Sequence, residues 1–186
     1  HEGKIVPSSE LTDEDMTDIG SAIPKFTYGI TLNLEYKGFD FTAFGTGVAG
    51  NKIFNILYRA DSPLRNSLKY YMDNAWTPEN KGASLPAVNN VATDLNFWSS
   101  SAAMFNGSYF KIKQLQLGYT LPKRLTQKVA IKDLRFFVSL DDFFTFSNYP
   151  GMDPETATTG NNGGAGFDIG SYPTMKKCSF GASFSF

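Results

Sequence analysis

Eleven residues, Phe26–Tyr36, place the strongest constraint on how this chain can fold. Phe26, Tyr28, Ile30, Leu32, Leu34 and Tyr36 share one phase, and Thr27, Gly29, Thr31, Asn33 and Glu35 share the other. Strict period-two alternation specifies a β-strand with one apolar face. The length matches the roughly 9–11 residues that a tilted strand needs to cross a bilayer; a soluble strand averages about 5–6. The apolar face is also graded, with aliphatic side chains in the middle and rings at both ends. That grading suits two membrane–water interfaces, whereas a protein interior gives no reason for it.

The alternation returns along the chain. Lys37-Gly38 offers a tight turn into a second strand from Phe39 to about Val48, in which Phe44 falls in the polar phase. A third strand spans 109–121, where Leu115, Leu117, Tyr119 and Leu121 oppose Gln114, Gln116, Gly118 and Thr120. Lys111 and Lys113 share its apolar phase. A Lys at the bilayer midplane costs about 2–4 kcal/mol, so both are expected at or above the outer headgroups, snorkelling, unless a bulge resets the phase. The fourth strand spans 134–140. The last alternates Cys178, Phe180, Ala182, Phe184 and Phe186 against Lys177, Ser179, Gly181, Ser183 and Ser185.

Connections alternate short (37–38, 122–132) and long (49–108, 147–172), the sorting of short periplasmic turns and long extracellular loops in outer-membrane barrels. The long stretches lose the alternation, and 67–74 could hold a short helix. Composition fits a barrel: aromatics are 15% of the chain, enough to furnish lipid-facing belts. The longest uninterrupted apolar run is four residues, which excludes a transmembrane helix and leaves transmembrane strands open. A net charge of -1 provides no basic field for nucleic acid. The single Cys178 forms no internal disulfide and reads as one more apolar, lipid-facing side chain.

Several motifs, in order, resemble the C-terminal region of the SusC/RagA family of TonB-linked outer-membrane proteins. They are Ile23-Pro24-Lys25-Phe26-Thr27-Tyr28-Gly29, Gly50-Asn51-Lys52-Ile53, Trp76-Thr77-Pro78-Glu79-Asn80, Gly107-Ser108-Tyr109, Leu117-Gly118-Tyr119-Thr120-Leu121-Pro122, Thr145-Phe146, Asp153-Pro154-Glu155 and Gly170-Ser171-Tyr172-Pro173. Ala75, Phe105-Asn106 and Asp141-Asp142 depart from the family's usual residues. The resemblance implies an all-β fold: about five C-terminal antiparallel strands of a transmembrane β-barrel of about 22 strands. Residues 1–25 would lead in from an extracellular loop, and 26–186 would form barrel. The plug and the segment that contacts TonB would lie outside this chain, which is expected to be a piece of a longer protein, because five strands cannot close such a barrel in lipid. The family role is nutrient import across the Gram-negative outer membrane. A SusD-like surface lipoprotein assists, and the cargo is oligosaccharide or peptide.

Candidate sites are sparse. Trp76, Phe97 and Trp98 lie in the first long loop, where rings could stack on sugar faces or contact a lid; packing within the loop explains them equally well. Phe180, Phe184 and the terminal Phe186 have the form of a C-terminal assembly signal. Arg135 and Asp141 are expected on the lumen face, in barrel–plug salt bridges. Asp13-Glu14-Asp15 and Asp18 read as a solvated loop before a metal site. His1-Glu2-Gly3-Lys4-Ile5 resembles half of a calcium loop but lacks the upstream Asp ligands, so no metal and no cofactor is expected. No Gly-x-Ser-x-Gly elbow exists and the only His is His1, so the chain is not expected to be an enzyme. Two rivals stand beside the importer: a soluble carbohydrate-binding β-sandwich, and an outer-membrane barrel enzyme.

Overall fold

A computed structural model describes residues 12–55, 68–85, 87, 101–126, 131–159 and 164–186. It divides into two units. One contains Pro24–Gly50, Ser108–Asn148 and Pro173–Phe186; the other contains the described residues of His1–Ile23, Asn51–Gly107 and Tyr149–Tyr172.

The first unit is an antiparallel sheet. Its strands are β1 (Phe26–Tyr36), β2 (Phe39–Ala49), β5 (Tyr109–Thr120), β6 (Asp133–Ser147) and β8 (Lys177–Ser185), ordered β1-β2-β5-β6-β8. β1 has the limits that its alternation predicts. The turn joining it to β2 uses positive φ at both Lys37 (48°) and Gly38 (87°), the geometry that matches the twist of a two-residue hairpin.

The pairing resolves the misplaced lysines. Ala43 stands opposite Leu115, and Gly45 opposite Ile112. β5 therefore takes three steps where β2 takes two, and Lys113 is the extra residue of a bulge. The phase flips there, so Ile112 and Phe110 continue the apolar face begun by Tyr119, Leu117 and Leu115. Lys111 moves to the polar face, opposite Thr46 and Thr145, and is only 2% exposed. Snorkelling to outer headgroups is thus overturned; the bulge does the sorting. β6 adds a further residue at the same level, taking four steps from Leu140 to Phe144. Asp142 accommodates this with φ of 58°, a conformation Asp tolerates better than most residues. Its carboxylate meets Lys113 Nζ at 2.7 Å. The fourth strand therefore runs on to Ser147, well past the expected end at 140, because the alternation breaks at the bulge while the pairing continues.

The second unit draws on the two long connections, which are not featureless. β3 (Lys52–Asn55) pairs antiparallel with β4 (Met104–Asn106) and parallel with β7 (Phe167–Asp168). Short helices span Lys69–Asn74, inside the expected range, and Pro154–Thr159. The core contains Ile53, Tyr71, Leu85, Ala103, Phe105, Tyr149 and Ala157. Motif residues build this unit. The Gly107 N–H donates to the Asn51 carbonyl, and Gly107 leaves no room for a side chain against the Asn51 amide. Asp153 Oδ1 accepts from the Glu155 N–H at 3.0 Å, where the helix Pro154–Thr159 begins.

Candidate functional site

The register fixes which side chains share each face of the sheet. On the apolar face, Leu32, Ala43, Leu115, Leu140 and Cys178 form one row across all five strands. Leu34, Phe41, Leu117, Val138 and Phe180 form the next. Aromatic rows flank this band. Tyr36, Phe39, Tyr119 and Phe136 align at one end, and Tyr28, Phe110 and Phe146 at the other. In the second row Tyr28 stacks on Phe110 with ring centroids 5.9 Å apart, and Phe110 on Phe146 at 6.4 Å. Gly47 and Gly45 of β2 make this possible. A Cβ on Gly47 would lie 2.5 Å from Tyr28 Cζ, and one on Gly45 2.5 Å from Phe110 Cζ.

This face is open to its surroundings: Ile30 is 57% exposed, Leu32 47%, Phe180 91% and Phe184 60%. A water-soluble sandwich would bury these side chains. Monomeric soluble proteins rarely expose contiguous apolar patches beyond a few hundred Å², and this one runs the length and width of the sheet. An aliphatic band between two aromatic rows is the surface that hydrocarbon and two interfaces require. Phe184 lies in β8, and Phe186 follows its end with the two rings 5.6 Å apart, edge to face.

The opposite face is polar. Asn33, Thr42, Gln116, Ser139 and Ser179 form a row of uncharged hydrogen-bonding groups, and Thr42 Oγ1 donates to Asn33 Oδ1 at 3.0 Å. An ion pair within the sheet also lines this face. Arg135 of β6 donates from Nε to Asp40 Oδ1 at 2.9 Å and from Nη2 to Asp40 Oδ2 at 2.5 Å. The two strands are not neighbours: the pair reaches across β5 at Gly118, where any Cβ would strike both side chains. Arg135 also lies over the Phe137 ring at 5.1 Å. Arg135 is therefore on the expected face, but its partner belongs to the wall itself. Asp141 accepts from Ser139 Oγ at 2.8 Å. Sequence reasoning missed Asp40 because nothing in one strand's pattern identifies a partner two strands away.

Tyr149 anchors the second unit. Its hydroxyl donates to Asp168 Oδ2 at 2.5 Å and accepts from Asn55 Nδ2 at 2.9 Å, tying three separate segments together. Burial first, then the Asp168 carboxylate beside it, push this hydroxyl well above the usual tyrosine range.

Trp76 follows the helix Lys69–Asn74 and is 43% exposed; Phe97, Trp98 and the half calcium loop at residues 1–5 lie outside the described residues. In the acidic run, Asp15 Oδ2 accepts from the Thr12 N–H and Asp18 Oδ1 from the Gly20 N–H, both at 2.8 Å. Those carboxylates cap local turns.

No family model matches the chain. It is 33% identical over 187 residues to TonB-dependent receptor P3 of Formosa agariphila, an alignment covering 96% of this chain and 18% of that receptor. It is 25% identical over 182 residues to TonB-dependent receptor P26 of the same organism, covering 95% and 18%. Among solved structures, the RagAB peptide transporter superposes with a TM-score of 0.70 at 25% identity, over 99% of this chain and 20% of that one. The "closed-closed" state of the RagAB peptide importer gives 0.68 at 25% identity, over 90% and 18%. The chain thus spans about a fifth of the length of the proteins it matches.

Proposed function

The chain belongs to the SusC/RagA family of TonB-dependent receptors, and from that premise we propose that it forms barrel wall in an importer of the Gram-negative outer membrane. One observation carries this reading: long paired strands expose a continuous apolar face on one side and a hydrogen-bonding polar face on the other. The first contacts lipid. The second lines a lumen of the large barrel class, of about 22 strands, whose interior is plugged.

In this reading the chain supplies barrel strands, two extracellular loops (49–108 and 147–172) and, in Phe180, Phe184 and Phe186, aromatic residues spaced for recognition by barrel-insertion machinery. Cargo binds between the outer loops and a SusD-like lipoprotein, the loops close, and TonB, acting through a segment outside this chain, displaces the plug. Likeness to a peptide importer supports peptides as cargo; the family's wider habit supports oligosaccharides. The relatives are receptors and importers, in keeping with a chain whose work is gating.

The test is uptake by cells carrying the full-length receptor, with a panel of fluorescent neutral oligosaccharides and mixed peptides as probes. Accumulation of one class that stops when TonB is removed is the expected result. Accumulation indifferent to TonB, or to loss of the receptor, overturns the reading.

A further inference from the structure

Two loops can move separately only if little holds one to the other, and here a great deal does. Both long connections and residues 12–23 contribute to one compact unit. Its core takes Ile53, Tyr71 and Phe105 from the first connection and Tyr149 and Ala157 from the second. Polar ties cross between them too. Asn51 Nδ2 donates to Thr158 Oγ1 and Asn55 Nδ2 to the Tyr149 hydroxyl, both at 2.9 Å, and each asparagine is only 1% exposed. Parting the connections would leave buried amides without partners, which costs far more than the bonds contribute when made.

Three segments meet at Gly166. Its carbonyl accepts from the Phe54 N–H at 2.8 Å, and its own N–H donates to the Ala157 carbonyl at 3.0 Å. The residue is buried, with φ of 81°, and a Cβ there would strike Ala22 and come within 3.2 Å of the Lys52 carbonyl oxygen. The Lys52 N–H in turn donates to the Ser21 carbonyl at 2.8 Å. The lead-in, the first connection and the second are thus gathered around one position that only glycine fills without strain.

We propose that these segments form a single interlocked block, with Gly166 as its keystone, that stays assembled throughout transport. Cargo is never admitted by parting the two long loops, and any closing movement carries both at once. The statement about transport rests on the importer reading above; the interlock itself does not.

The experiment follows hydrogen exchange by mass spectrometry in full-length receptor in detergent. Gly166→Ala should speed exchange of the Lys52, Phe54 and Gly107 amides in the first loop and of the Ala157 amide in the second by one common factor of about tenfold or more, the mark of a unit that opens cooperatively. The amides of β2 and β5 should keep their rates. Tyr149→Phe is the milder variant, with the same pattern expected. Faster exchange confined to one loop overturns the inference. Phe54→Cys combined with Phe167→Cys then tests transport. These positions are paired on adjacent strands, whose spacing of about 4.8 Å suits a disulfide. With fluorescent oligosaccharides and peptides as probes, TonB-dependent uptake should be equal in oxidised and reduced cells. Uptake that stops on oxidation and returns with reductant overturns the inference. Unmodified receptor that shows no TonB-dependent uptake overturns the importer reading instead, and the exchange measurement then decides the interlock alone.

Discussion

Leu32→Arg should be severely disruptive and Tyr36→Arg nearly silent, although the two positions share one strand and one face and both are exposed. The aromatic rows cross β1 at Tyr28 and Tyr36. At about 3.4 Å per residue they lie roughly 27 Å apart along the strand. A tilt of about 40° reduces this to about 21 Å across the bilayer, near the ~25 Å apolar band of such barrels. Leu32 then sits about 10 Å from either interface, where Arg costs about 2–4 kcal/mol; at Tyr36 the cost is about 0–1 kcal/mol. Full-length receptor carrying each substitution would be reconstituted in phospholipid vesicles and unfolded in guanidinium chloride. Far-UV circular dichroism and the mobility of unheated samples on gels would follow the transition. Equal costs at the two positions, or a negligible cost at Leu32, would refute the argument, because only a hydrocarbon solvent makes the penalty depend on depth.

Two further outcomes follow from packing and titration. Gly47→Ala puts a methyl group against the Tyr28 ring and the Tyr109 carbonyl and should destabilise the receptor by about 1–3 kcal/mol in the same unfolding assay; a neutral result would mean that the rings do not lie across β2. Tyr149 should stay protonated above the ordinary tyrosine range of about pH 10, which near-ultraviolet absorbance would follow against Tyr149→Phe. Its folded pKa lies above its unfolded one, so its contribution is complete below about pH 10 and is lost as pH rises beyond. Tyr149→Phe should cost about 1–3 kcal/mol at neutral pH by stripping Asp168 and Asn55 of a buried partner, and should flatten the alkaline decline; an unaltered decline would assign it elsewhere.

How much could be read in advance depended on which interactions are local. β1 was legible to the residue because its pairing with β2 is free of bulges and its alternation is undisturbed. β6 was cut short at its bulge, where the residue spacing changes but the ladder persists. Lys111 looked misplaced for the same reason, since a bulge becomes visible only against the neighbouring strand. The small sheet of β3, β4 and β7 could not be anticipated: its strands are two to four residues long and pair across distant stretches of chain. On the polar face, Arg135 was placed correctly and its partner was not. Of the aromatic candidates in the first long loop, Trp76 proved exposed.

The stepped spacing at Lys113 and Asp142 limits how this wall can vary. Below that level, adjoining segments run in step; above it, each side chain owes its orientation to an odd count of residues in β5. Loss of Lys113 itself would remove the bulge and keep Phe110, Ile112 and Lys111 on their present faces by plain alternation, whereas loss or gain of one residue between Tyr109 and Ile112 would turn the side chains beyond it to the other face. Removing two would merely shorten the hairpin. Away from the bulge residue itself, length polymorphism in the upper part of β5 should therefore come in even numbers, a parity rule that a library of insertions and deletions would reveal.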